Sequence, residues 1–182
     1  MADAGLVGPF PEGSDHEEYD RRRRRVLWSL PSGLYVLGSG TGSRRNLMTL
    51  NWATQVATEP KLVAVSIEKE AVSHALVEEG RVFTLNILRR ADRAVVRKFV
   101  KPLDDEGRPA TLGGFEVRAA VTGAPILDLA AAWLDCRVVQ GVDCGSHTVF
   151  IGEVVDCQDA AAVDGESVEV LRMEDTRMSY GG

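Results

Sequence analysis

RNLMTLNWATQVATEPKLVAVSIEKE, residues 45–70, is the stretch on which the fold turns. Its patterning is that of extended chain, and Pro60 divides it into NLMTLNWATQVA and KLVAVSI. Successive side chains of a strand point to opposite faces, so Asn46, Met48, Leu50 and Trp52 share one side and Leu47, Thr49, Asn51 and Ala53 the other. In the second segment Val63, Val65 and Ile67 make a bulky face suited to a barrel interior, opposite Leu62, Ala64 and Ser66. Two neighbouring strands thus each offer a face of modest side chains with hydroxyl or amide groups, as a flat, polar-edged ligand needs. Alternation alone, however, favours Thr49, Asn51 and Ser66 in water on a barrel exterior, with Trp52 in a core or interface.

Beyond Ser66 the chain runs through Ile67-Glu68-Lys69-Glu70-Ala71-Val72-Ser73-His74, from a strand end into a helix start. Free N–H groups, the helix dipole, the Lys69 ammonium and the Ser73 hydroxyl together suit a phosphate. Against that, there is no glycine-rich loop, Glu68 and Glu70 would repel a dianion if they pointed inward, and Ser73 is equally a helix-cap residue.

Working outward, residues 1–13 are rich in Gly, Pro and Ala and are expected to be a mobile tail. Ser14 and Glu17 form a capping-box pattern, predicting a helix over 15–29 with Val26, Leu27 and Leu30 as its apolar stripe. Strands are expected at LYVLGS, VFTLNIL, FEVRAAV, WLDCRVVQGV and HTVFIGEVVDC, with turns at Ala124-Pro125 and Gly145-Ser146. AVSHALVEE reads as a helix capped by Gly80, and ADRAVVRKFV as a second with Val95, Val96, Phe99 and Val100 on its apolar face. Asn86, within FTLNIL, reads as a buried amide satisfying backbone groups. Six or seven antiparallel strands with short inserted helices favour a mainly β barrel over a doubly wound α/β sheet. The expected organisation is the tail, one domain over 14–160, and a C-terminal arm over 161–182 whose Met173, Met178 and Tyr180 suit folding back over the barrel as well as a frayed end.

At 182 residues and a net charge of −6, the chain is expected to be a cytoplasmic globular protein with no signal peptide and no membrane span. The acidic balance argues against a nucleic-acid surface, and the Arg21–Arg25 cluster reads as a solvated helix face. Cys136, Cys144 and Cys157 lack CxxC spacing, and His16, His74 and His147 lack ligand spacing, so no metal is expected. His147, after Gly145-Ser146, is by itself a common kind of turn residue.

In the order LPSGLYVL, NLMTLNWATQVATEPKLVAVSIEKEAVSHALVEEGRVFTLNIL and GAPILDLAAAWLDCRVVQGVDCGSHTVFIGEVVD, the chain resembles the flavin reductase-like, FMN-binding split-barrel family from about Leu30 to Asp156, its NxMTxxW segment being most like the flavoredoxin-type branch. The resemblance implies a six-stranded Greek-key split barrel, a homodimer, FMN as cofactor and NADH or NADPH as co-substrate. It implies that Asn46, Met48, Thr49, Asn51, Trp52 and Ala53 line the isoalloxazine, and that Ser66, Ile67, Lys69, Ser73 and His74 lie along the ribityl chain and phosphate. It places His147 on the nicotinamide side, as the catalytic candidate. The family's G-D-H stretch has Ser146 here in place of its Asp, removing a carboxylate that could orient the histidine. The implied activity is hydride transfer from NAD(P)H to flavin, with a monooxygenase or an electron-transfer protein as partner. The alternatives are an FMN-binding electron carrier without NAD(P)H turnover, and a split barrel holding another cofactor such as a deazaflavin or haem.

Overall fold

A computed structural model describes residues 6–105, 107–159 and 168–178. The chain falls into two compact units, residues 32–176 and residues 1–31 with 177–182.

The larger unit contains β1 (Tyr35–Thr41), β2 (Arg44–Leu50), β3 (Ala53–Thr58), β4 (Lys61–Glu68), β5 (Val82–Ile87), β6 (Thr111–Leu112), β7 (Phe115–Ala119), β8 (Pro125–Leu127), β9 (Ala132–Asp143) and β10 (His147–Asp159). Seven pair in the order β2-β1-β5-β9-β10-β4-β3, and β6-β7-β8 form a second small sheet. The expected single strand NLMTLNWATQVA is two strands, broken at Asn51-Trp52. That break closes the fold. β2 and β3 stand at opposite ends of the sheet order, yet only two residues separate them. Seven strands laid flat would set the outer pair about 29 Å apart, six intervals of about 4.8 Å, whereas Leu50 and Ala53 lie within about 11 Å along the chain. The sheet therefore coils on itself. Taken as one strand bent at this corner, β2 and β3 reduce seven to the six strands of the expected split barrel.

The barrel interior is filled by Leu37, Leu50, Val63, Val65, Ile67, Phe83, Leu85, Cys136, Val138 and Phe150. Val63, Val65 and Ile67 take the inward face their alternation predicts. At the Gly40 end of β1 lies α2 (Val72–Gly80), whose Val77 joins this core. The left-handed cap of α2 is Arg81 at φ 56°, correcting the expectation of Gly80 there. Gly80 serves a different need: a Cβ on it would collide with the Gly40 carbonyl of β1.

The opposite face of β1, β2 and β5 is covered by a second apolar layer that includes Val96, Phe99, Leu112, Val117, Ile126 and Leu127. Asn86 joins the layers as the buried amide expected of it. Its Nδ2 donates to Val36 O at 3.0 Å and its Oδ1 accepts from Leu127 N at 2.9 Å. Pro125, expected in a turn, begins β8, and its carbonyl accepts from Thr84 Oγ1. Val96 and Phe99 belong to a 3-10 turn, Val95–Phe99, and are buried, while Val100 is exposed.

Outermost in the sheet, β3 pairs among the described residues only with β4, and Val56 is skipped in their register because Gln55 opposes Val63 and Ala57 opposes Leu62. Gln55 Nε2 donates to Ala57 O at 3.1 Å. The near part of the C-terminal arm does fold back on the barrel: Leu34 N donates to Leu171 O, Leu171 N to Leu88 O and Met173 N to Ser32 O. Residues 161–167 and 179–182 of that arm, Tyr180 among them, lie outside the described residues.

In the smaller unit α1 spans His16–Trp28. Its N-cap is Asp15, whose Oδ1 accepts from Glu18 N at 2.9 Å; the expected cap, Ser14, donates instead to Pro11 O. The stretch expected to be mobile is tied to α1 where it is described: Phe10 stacks on His16 with ring centroids 4.2 Å apart, and Arg23 donates to Val7 O and Pro9 O. No helix among the described residues is long and apolar enough to cross a membrane.

Candidate functional site

The corner that closes the barrel gathers part of the expected site. Trp52, exposed, follows the break after β2, and its carbonyl accepts from Ser66 N on β4 at 2.9 Å. Antiparallel pairing of β4 with β10 sets Ser66 opposite Val149 and Glu68 opposite His147. The Trp52 and His147 rings meet with centroids 5.1 Å apart. Lys69 follows β4, its N–H donating to Ser146 O at 3.0 Å and its Nζ lying 2.8 Å from Asp143 Oδ1. Asn51, Trp52, Ala53, Ser66, Lys69 and His147 are at least partly exposed, in a region that β3, β4 and the β9-β10 hairpin hold together.

The other expected residues are turned inward. Asn46 Nδ2 donates to Ser73 Oγ at 2.9 Å, Asn46 Oδ1 accepts from Leu103 N at 3.1 Å, and Ser39 Oγ donates to Ser73 Oγ at 3.1 Å. The Ser73 hydroxyl is thus fully buried and bonded within the protein, whereas the Lys69 ammonium, expected beside it at a phosphate, is partly exposed and paired with Asp143. His74 is buried too, its Nε2 2.8 Å from Thr148 Oγ1 and its ring against Phe150. Thr49 Oγ1 donates to Val96 O, so this hydroxyl faces neither water nor an open groove. Ile67 is core, and Met48 packs against it.

At the head of α2 Val72 is exposed, whereas Ser73 and His74 are buried and His74 N donates to Ala71 O at 3.0 Å. Ala71 occupies the N-cap and supplies no side-chain hydrogen bond to the first turn, which also carries no acidic residue. An uncapped N-terminus keeps its partial positive charge for an anion. With the Lys69 ammonium and the half-exposed Trp52 plane, the donor set fits a ligand with an aromatic body and an anionic end.

Two features escaped the sequence reading. Asp143 Oδ1 also accepts from Gly145 N at 2.8 Å, an Asx-type turn that the Asp-x-Gly order of DCGSH could have signalled. Lys69 and this backbone bond hold the Asp143 carboxyl below its ordinary value. Ser146 Oγ lies 2.9 Å from His147 Nδ1, so a hydroxyl stands where the family's carboxylate would orient the ring. A separate cavity of about 340 Å³ opens at the Tyr35 end of the barrel, lined by Ile87, Leu134, Val154, Gln55 and Lys61 among others. Of the expected site residues it takes in only Ala53. Among the described residues no cluster of three or more His, Cys, Asp or Glu side chains could hold a metal ion.

Residues 27–178 match the flavin reductase like domain. The NADH-dependent FAD reductase of Streptomyces globisporus is 32% identical over 136 residues, which are 72% of each chain. The solved NADH:FAD oxidoreductase SgcE6 of Streptomyces globisporus C-1027 superposes with a TM-score of 0.66 at 28% identity, covering 85% of both chains. BorF, the flavin reductase component of a bacterial two-component tryptophan halogenase, superposes with a TM-score of 0.66 at 27% identity over 76% of this chain and 86% of its own. Other relatives are much longer: the chain spans about a quarter of the diflavin flavoprotein A 1 of Synechocystis, at 25% identity. A family match over most of the chain, on a barrel whose closing corner carries the ligand-ready groups, places the protein in the flavin reductase-like family.

Proposed function

We propose that the protein is an NAD(P)H-dependent flavin oxidoreductase that binds FMN at the Trp52 corner and passes reduced flavin to an oxygenase or similar acceptor. The observation that carries this reading is the convergence of an aromatic plane, the Lys69 ammonium with its Asp143 partner and a helix N-terminus without a side-chain cap near the corner where β2 turns into β3. The named activities of SgcE6 and BorF, which share the fold over most of their length, support it.

Trp52 would present its ring to the isoalloxazine, with Asn51, Ala53 and Ser66 beside its polar edge. Lys69 and the exposed Val72 end of α2 would hold the phosphate. Asn46, Thr49, Ser73 and His74 would act from beneath, fixing β2 and α2 through the buried bonds described above, with Met48 and Ile67 packed under them. His147, held by Ser146 and Trp52, would flank the approach of the nicotinamide ring. When bound, flavin supplies the hydride chemistry, so the protein needs to position and to exclude water rather than to supply a nucleophile. Homodimerisation accompanies this reading and is checked by light scattering.

A second reading is an FMN-bound electron carrier that takes electrons from a protein and does not turn over NAD(P)H. The hydroxyl of Ser146 in place of a carboxylate beside His147 favours it. Anaerobic mixing of the flavin-loaded protein with NADH or NADPH decides between them. Bleaching of the flavin absorbance within seconds supports the reductase, whereas a bound flavin that stays oxidised supports the carrier. Protein unable to bind added FMN overturns both.

A further inference from the structure

We propose that Asp143 sets how tightly the flavin phosphate is held, by taking up the Lys69 charge that the phosphate would otherwise meet, and that the same carboxylate ties this grip to the turn carrying His147. The proposal rests on the flavin-binding reading above and goes beyond it in naming a residue that determines specificity.

One oxygen, Asp143 Oδ1, lies 2.8 Å from Lys69 Nζ and accepts from Gly145 N at 2.8 Å. The turn is further closed by Cys144 N donating to His147 O at 2.9 Å, and the backbone of Lys69 reaches it through Ser146 O. Lys69 is also flanked in sequence by Glu68 and Glu70, both exposed. The ammonium is therefore already paired at the surface, and a phosphate approaching it meets the Asp143 carboxylate as well. A terminal phosphomonoester such as that of FMN carries a charge of about −1.5 to −2 at pH 7. Repulsion by Asp143 falls on that group and spares riboflavin, which has no phosphate. The consequence for the proposed activity is an exchangeable flavin: a grip weakened in this way lets the reduced product leave for its acceptor. Because the oxygen that holds Lys69 also fixes the Gly145 turn, movement of Lys69 toward a phosphate leaves Asp143 bonded to the turn alone.

Fluorescence titration of FMN and riboflavin against the wild type, Asp143→Asn and Asp143→Ala tests this. Asn retains a carbonyl oxygen for Gly145 N–H but removes the charge, while Ala removes both. Both variants are expected to bind FMN about fivefold tighter in low salt with riboflavin affinity unchanged, and the gain is expected to vanish at about 1 M salt, where the Debye length is about 3 Å. Only Asp143→Ala is expected to raise the KM for NAD(P)H. An unchanged ratio of FMN to riboflavin affinity in Asp143→Asn, or weaker FMN binding, overturns the charge competition; nicotinamide kinetics alike in the two variants overturn the link to the turn. A wild type that binds neither flavin overturns the functional reading itself, and the proposal with it.

Discussion

Trp52 and His147 face one another with ring centroids 5.1 Å apart and planes tilted by 54°, joining the barrel's closing corner to the start of β10. Trp52 is 41% exposed, so the pair lies at the surface and leaves part of the indole free for a ligand. Trp52→Ala should weaken flavin binding about tenfold, the loss of one aromatic stacking partner worth ~1–3 kcal/mol. Its melting temperature should fall as well, since more than half of the indole is buried, so affinity is compared at a temperature where both proteins are folded. Equal flavin affinity in the variant would move the ligand away from this corner.

Asn46 lies on β2 opposite Ser39. Its amide joins Ser73 of α2 to the backbone of Leu103, and both bonds are largely sheltered from water. Asn46→Ala leaves a buried hydroxyl and a backbone N–H short of a partner, and should destabilise the fold by about 2 to 3 kcal/mol. Urea unfolding measures this, and a cost below about 0.5 kcal/mol would mean that water replaces the amide.

Arg45 binds Asp105 through Nε at 3.1 Å and Nη2 at 2.7 Å, and also donates to the carbonyls of Arg108, Pro109 and Thr111. The guanidinium holds the Asp105 carboxyl below its ordinary value of 3.8, with help from the Gly107 N–H. A depressed carboxyl stabilises the fold above its unfolded value and loses that contribution as the pH falls through its folded one. Arg45→Met should therefore cost about 2 kcal/mol at pH 7, and the gap between variant and wild type should narrow below pH 3.8. A gap that stays constant down to pH 2.5 (about one unit lower still) would show that the carbonyl contacts alone carry the effect.

Much of this was legible in the sequence. KLVAVSI showed its inward face because a strand buried on one side must alternate, and Asn86 stood out as an amide in an otherwise apolar strand. The break at Asn51-Trp52 was not legible, since neither Gly nor Pro marks it; the bend is imposed by closure of a sheet whose far strands lie well along the chain. For the same reason alternation alone sets Thr49 on an open face. Nothing local to NLMTLNW tells that Val96 caps its hydroxyl. Ser73 could be seen as a helix-start residue, but its burial depends on Asn46 and Ser39, 27 and 34 positions away.

The three thiols should separate by reactivity. Cys136 faces the barrel core, where burial, with the Asp135 carboxylate beside it, pushes the thiol up to about 12; Cys144 and Cys157 are exposed. At pH 8 a disulfide reagent should modify Cys144 and Cys157 in the native protein and Cys136 only after unfolding. Rapid reaction of all three would mean that the barrel opens on the timescale of the assay.

The skipped Val56 has a consequence for self-association. β3 is the sheet's outer strand, and a flat outer strand offers its unpaired N–H and C=O groups as a template for another chain. The bulge at Val56 twists that row out of line, and the Gln55 side chain occupies the Ala57 carbonyl within it. A second molecule therefore meets an interrupted ladder, with the exposed valine at its centre out of register.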